Sequence, residues 1–85
     1  MRYYPALITL HHDQRLGIVF PDLPECTAMA DTWGDVPRTA VQAMRLWFHD
    51  KSDIEPTNID DLRERSDIKP ELANGAVLLL IPRRL

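Results

Sequence analysis

Residues 17–26 read Gly17-Ile18-Val19-Phe20-Pro21-Asp22-Leu23-Pro24-Glu25-Cys26, an apolar run that ends in two prolines three residues apart. The residues at 18–20 are types that favour β-strands. Pro21 has no N–H to donate, and Pro24 restricts the residue before it to extended conformations, so strand pairing must stop there. The segment therefore predicts a strand followed by a rigid, extended corner.

Three further segments read as strands. Residues 3–10 alternate well enough for a first strand, and the four polar residues at 11–14 suit a hairpin loop before the strand at 15–21. With a third strand at 26–30, these segments predict a three-stranded antiparallel meander. Residues 76–82 form a final apolar strand, and we expect it to be buried on both faces, one by helices and the other in a self-association interface.

The main helix is predicted over about residues 36–50. Its apolar stripe follows a 3.6-residue period and consists of Val36, Ala40, Met44, Trp47 and Phe48. Asp35 is expected to cap this helix, which leaves Pro37 in the first turn, where proline is tolerated. A short second helix is predicted over about residues 58–65, and residues 67–75 read as a turn-rich link.

The composition fits one small domain. The chain has 85 residues, of which 45% are apolar, a fraction that speaks for folding rather than disorder. It has no membrane-length apolar run and no signal-peptide core, so we expect a cytoplasmic protein. Its net charge of −3 favours a basic protein partner over nucleic acid. The single cysteine, Cys26, is expected to be a small buried apolar side chain.

The residues that invite chemistry have simpler explanations. His11, His12 and Asp13 are types that ligate metals, but neighbours on one loop rarely converge on one ion, so we expect a solvated hairpin tip. The acids at 60, 61, 64 and 67 lack the spacing of a calcium loop and fit an exposed, capped helix. Two-metal nucleases need several converging carboxylates, and the first strand contains none. We expect no metal, no cofactor and no enzymatic activity, with a metal-dependent nuclease as the weakest alternative.

The order of these segments resembles the HicB antitoxin family. The likeness rests on residues 17–26, on Tyr3-Tyr4-Pro5-Ala6-Leu7-Ile8 before them, and on Ala30-Asp31-Thr32 with the helix that follows, and it runs from about Tyr3 to Pro82. The resemblance implies an α+β, partial RNase H-like fold. It also implies a protein that binds and silences a small RNA-cleaving toxin, HicA.

The resemblance suggests how this chain would work. If the toxin is basic, four carboxylates are candidate contacts for it: Asp22, Asp31, Asp35 and Asp50. We expect a homo-oligomer, a dimer or a tetramer, because so small a core gains from extra burial. The alternative function is a stand-alone HicB-like oligomeric binding or scaffold module that has no toxin.

The sequence departs from the family pattern at several positions. Glu25 and Ala30 stand where glycine is usual, and Gly34 and Pro37 alter the start of the helix. Relatives usually continue into a C-terminal DNA-binding domain, whereas this sequence ends at Arg83-Arg84-Leu85. We therefore expect a single HicB-like domain over residues 1–85 that does not itself bind nucleic acid.

Overall fold

The computed structural model describes residues 2–49, 51 and 53–83. In chain order the elements are strand β1 (Arg2–Leu10), strand β2 (Leu16–Val19), strand β3 (Thr27–Ala30), a 3₁₀ turn (Trp33–Asp35), helix α1 (Val36–Phe48), helix α2 (Ile59–Arg63), helix α3 (Lys69–Ala73) and strand β4 (Val77–Arg83). None of the described helices is long and apolar enough to cross a membrane.

The strands form one antiparallel sheet in the order β3-β2-β1-β4. The meander predicted for the first three strands is confirmed, and the final strand lies beside β1. Leu7 is paired with Val19 on one side and with Leu78 on the other, which fixes the register across the sheet. β3 and β4 are therefore the two edge strands.

Two prolines set the length of β2. Two residues further along, the register that pairs Leu7 with Val19 would place Pro5 opposite Pro21. Neither residue has an N–H, so the ladder cannot gain a hydrogen bond at that step. β2 consequently ends at Val19.

The first face of the sheet is covered by α1. Alternate residues of β1 point towards the helix, as the two-residue period of a strand requires, and Tyr4, Ala6 and Ile8 are almost fully buried there. The Tyr4 and Phe48 rings meet edge to face with their centroids 5.2 Å apart. The helical stripe predicted from the sequence therefore forms the main core, although Trp47 is only half-buried.

The second face of the sheet is only partly covered. α2, α3 and the segment between them bury a smaller cluster built on Leu7, Leu62, Ile68 and Leu78. On this face Leu80 of β4 is 48% exposed within the described chain, so burial of β4 on both faces stays a prediction that requires a second copy.

The start of α1 agrees with the prediction. The Thr32 hydroxyl accepts a hydrogen bond from Asp35 N–H and caps the start of the 3₁₀ turn, and Asp35, the last residue of that turn, is the N-cap of α1. The Asp35 side chain makes no capping hydrogen bond and instead contacts Thr32 and Arg38. Pro37 lies in the first turn as expected.

Two predictions about local structure are wrong. Residues 67–75 are not only a link, since they contain α3, which begins with Lys69-Pro70; proline fits the first turn of a helix. The corner at residues 20–26 is not extended, because it consists of two successive tight turns. The ends of α1 and α2 lie one or two residues inside the predicted limits, where helix termini fray.

Candidate functional site

The loop between β2 and β3 is built from two β-turns in tandem. Leu23 N–H donates to Phe20 O, and Cys26 N–H donates to Leu23 O, each at 3.0 Å. Each turn therefore carries a proline at its second position, where the fixed φ of proline is favourable. The spacing of three residues between Pro21 and Pro24 is the spacing of these two turns.

Glu25 occupies a strained position in the second turn. Its φ is 66°, in the left-handed region that a side chain disfavours. A type II turn often has proline as its second residue, and its third residue has a positive φ and is usually glycine. Pro24 and Glu25 occupy these two positions. A glycine would adopt this φ without the cost that the Glu25 side chain incurs.

Two side chains from elsewhere in the chain hold this loop. The Asp22 carboxylate accepts hydrogen bonds from Thr57 N–H at 2.8 Å and from the Thr57 hydroxyl at 2.5 Å. The Trp47 indole N–H donates to Pro24 O at 2.8 Å. The loop is therefore fixed both to the segment before α2 and to α1.

A groove, which we call the β3–α1 groove, runs between β3 and α1. It has a volume of about 470 Å³ and is lined by residues 25–28 and by Thr39, Gln42, Ala43, Leu46 and Trp47. Leu46 is 76% exposed, which makes its side chain available to a partner. A groove beside an edge strand with an exposed leucine suits a protein surface better than a small molecule, whose sites are enclosed.

Cys26 is part of the groove lining but is only 4% exposed. Burial raises the pKa of the Cys26 thiol, so the thiol stays protonated near neutral pH. A protonated, buried thiol is a weak nucleophile. Cys26 therefore packs as an apolar residue, as the sequence indicated.

The four predicted toxin-contact carboxylates do not form one cluster. Asp22 lies before β3 and its carboxylate is engaged by Thr57. Asp31 and Asp35 lie beyond the other end of β3; Asp31 is paired with Arg15 at 3.3 Å and Asp35 with Arg38 at 2.8 Å. Asp50 lies outside the described residues.

The groups considered for metal chemistry stay apart. At the hairpin tip Asp13 accepts a hydrogen bond from Arg15 N–H at 3.1 Å, and the His11 ring lies over Gly17, where a larger residue would clash. Within residues 2–49, 51 and 53–83, no three His, Cys, Asp or Glu side chains come together as a metal site would require. On α2, the Asn58 side chain caps the first turn by accepting from Asp60 N–H.

A second groove, which we call the β4–α1 groove, was not predicted from the sequence. It lies on the other side of α1, between that helix and β4. Arg38 and Arg45 line this groove. They are seven residues apart, which is about two helical turns, so they lie on the same side of α1. That spacing is a signal in the sequence, but only the strand order shows what the arginines face.

Comparison with known proteins identifies the family. Residues 4–81 match the family model described as the HicB-like antitoxin of a bacterial toxin-antitoxin system. This chain belongs to the HicB-like antitoxin family. The resemblance inferred from the sequence is confirmed. No curated protein matches the sequence.

Solved HicB structures share this antitoxin fold. A chain of a HicA3 and HicB3 toxin-antitoxin complex is 19% identical, with a TM-score of 0.77 over 94% of this chain and 95% of that one. The antitoxin HicB of Burkholderia pseudomallei is 16% identical with a TM-score of 0.77, and this chain covers 65% of its length. The N-terminal domain of the same antitoxin gives a TM-score of 0.74 at 16% identity and is covered over 99%, against 98% of this chain.

Proposed function

We propose that this HicB-like protein binds a small, basic, RNA-cleaving toxin of the HicA type and neutralises it. The family match over residues 4–81 is the observation that supports the proposal. The likeness to a chain from a HicA3 and HicB3 complex is compatible with it. The protein would act by binding alone in the cytoplasm, without a cofactor and without contacting nucleic acid, and residues 1–85 would suffice.

The β3–α1 groove is the surface we assign to the toxin. It offers exposed apolar area at Leu46 beside the unpaired edge of β3. The carboxylates of Asp31 and Asp35 lie beyond one end of β3, and their present partners are exposed arginines. Exposed ion pairs contribute little to stability, so a basic toxin could take over these carboxylates at small cost. Bound in this way, the antitoxin would cover the active surface of the toxin and exclude RNA.

The other two carboxylates would act differently. Asp22 already accepts two hydrogen bonds from Thr57, so its contribution would be to position the loop that ends at the groove. Asp50 remains a proposed contact with the toxin, because it follows the helix that forms one wall of the groove.

We also propose that the protein self-associates. On the second face of the sheet, Val19 is 40% exposed and Met29 is 37% exposed, on the half where the cluster under α2 and α3 does not reach. A second copy could bury this apolar area and add to the small core. Sedimentation velocity at micromolar concentration should show a dimer or a tetramer. A protein that stays monomeric would refute the proposed self-association.

Titration of the purified protein with the protein encoded beside it tests the central proposal, with RNA cleavage followed in parallel. We expect tight binding and loss of cleavage. Replacing both Asp31 and Asp35 by Asn should weaken binding about tenfold or more, since each charge-assisted hydrogen bond is worth about 1.5–3 kcal/mol. Asp61→Asn, an exposed acid on α2, is the matched control and should leave binding unchanged. Absence of binding would favour a stand-alone binding module instead.

A further inference from the structure

The outer edge of β4 presents free hydrogen-bonding groups. His11 N–H donates to Arg15 O across the hairpin. Because hydrogen-bonded and non-hydrogen-bonded pairs alternate along an antiparallel ladder, the odd-numbered residues of β1 direct their N–H and C=O groups towards β2. On β4, Leu78 lies opposite Leu7 and Leu80 lies opposite Pro5. The N–H and C=O groups of Leu78 and Leu80 therefore point away from β1. β4 is an edge strand, so these groups face outward and can pair with an added strand.

Pro82 limits this edge at one end. It lies opposite Tyr3 in the same alternation, and without an N–H it can offer only its carbonyl. A strand added to β4 would therefore be held mainly by Leu78 and Leu80. Such a strand is short enough to belong to a peptide segment.

On the α1 side, an added strand would meet positive charge. The β4–α1 groove has a volume of about 620 Å³ and is lined by Arg38, Val41 and Arg45 of α1 and by residues 79–82. Arg38 has Asp35 as its partner at 2.8 Å, whereas Arg45 forms no ion pair with any other described residue. A neighbouring depression that shares Val41, Arg45 and Pro82 with the groove reaches Arg83, whose charge is paired with Asp53.

On the other side, the same strand would meet apolar surface. Leu80 is 48% exposed and Tyr3 is 50% exposed on the second face of the sheet. Side chains that lie opposite each other on neighbouring strands stabilise a sheet when both are apolar or when their charges are opposite. An added strand would therefore fit best with acidic residues on the α1 side and apolar residues on the other side, at alternate positions.

We propose that the edge of β4 binds an extended segment of a partner protein in which acidic and apolar residues alternate. The acidic side chains face Arg38 and Arg45 in the β4–α1 groove, and the apolar ones pack beside Leu80. This partner differs from the basic toxin and uses the opposite edge of the sheet. A second copy of this chain is a poorer occupant, because a two-fold β4 pair would bring a second Arg38 and Arg45 towards the first.

A labelled nine-residue peptide that alternates valine with glutamate is the probe. Fluorescence anisotropy should show saturable binding to the full chain, and NMR should show slower exchange of the Leu78 and Leu80 amides. The double variant Arg38→Glu, Arg45→Glu should weaken binding at least tenfold. Arg63→Glu, a charge reversal at an exposed arginine of α2, should not change it.

Three further peptides test the proposal on the unaltered protein, so that misfolding of a variant cannot affect the result. N-methylation of alternate peptide amides on one edge should abolish binding to the unaltered protein, whereas the same change on the other edge should not. The lysine counterpart of the peptide should bind at least tenfold more weakly. Equal binding of the lysine peptide, absence of saturation, or binding without protection of the Leu80 amide would each overturn the proposal. So would concentration-dependent protection of that amide without peptide, which would identify a second copy as the occupant.

Discussion

At the scale of single residues, Glu25 shows a conflict between side chain and backbone. Its positive φ costs a non-glycine residue roughly 1–2 kcal/mol. We predict that Glu25→Gly raises the free energy of unfolding by about 0.5–1 kcal/mol, after the entropy cost of glycine is subtracted. Urea unfolding measures the change.

Thr27→Gly is the control for that substitution, because Thr27 begins an ordinary strand. Glycine there should lower stability by about 0.5–1 kcal/mol. A loss of stability in both variants would show that the left-handed turn at Glu25 is not strained.

The bond between Asp22 and Thr57 is a second residue-scale feature. Thr57→Val keeps the shape of the side chain but removes the hydroxyl that donates to Asp22. Because hydrogen bonds to charged groups are worth about 1.5–3 kcal/mol, and this one is only partly buried, we predict a loss of about 1–2 kcal/mol in urea unfolding. Asp22→Asn alters the same contact, so the double variant should lose less than the sum of the two single losses. Strict additivity would mean that the two groups do not interact.

At the scale of elements, the connection between α2 and α3 contains an ion pair. The Arg65 side chain donates two hydrogen bonds to Asp67, at 3.0 and 2.7 Å, and these lower the pKa of the Asp67 carboxyl. A pKa lowered by folding means that the carboxylate stabilises the fold above its unfolded pKa of about 3.9, and that this contribution is lost as the pH falls through the folded pKa.

Asp67→Asn tests whether the Asp67 carboxylate stabilises the fold at neutral pH and not in acid. We predict that the variant has a lower urea midpoint than the parent protein at neutral pH, and that the difference disappears well below the usual Asp pKa of about 3.9. The effect should be small, because both side chains are largely exposed. A difference that persists in strong acid would point to a cause other than the charge of Asp67.

The elements also show what the sequence could and could not predict. α1 and the meander were predictable because a 3.6-residue stripe and alternating strands depend on local spacing. α3 was missed because Lys69-Pro70 and Asn74-Gly75 dominate a segment only a few residues long. The place of β4 at the edge of the sheet was not predictable, because an apolar run does not reveal the strand order. The acidic residues were predicted as contacts from their expected exposure and their charge, and Asp22 shows that a carboxylate can instead be engaged within the fold.

At the scale of the whole molecule, two apolar clusters lie on opposite faces of one sheet. Tyr4 of β1 belongs to the larger cluster and Leu7 of the same strand belongs to the smaller one. β4 contributes to both clusters in the same way, through Ile81 and Leu78. Because β1 and β4 are shared by both clusters, neither face can lose its packing without disturbing strands that support the other.

This coupling predicts a single unfolding transition for both faces. Met44→Ala in the larger cluster and Leu62→Ala in the smaller one remove side chains that are 1% and 0% exposed. Each should lower the free energy of unfolding by about 2–5 kcal/mol. Urea curves followed by far-UV circular dichroism and by tryptophan fluorescence should coincide for each variant, with an m-value close to that of the parent protein. The two tryptophans, Trp33 in the 3₁₀ turn and Trp47 in α1, report on the α1 side. An early transition seen only by circular dichroism in Leu62→Ala would therefore mean that α2 and α3 unfold separately from the main core.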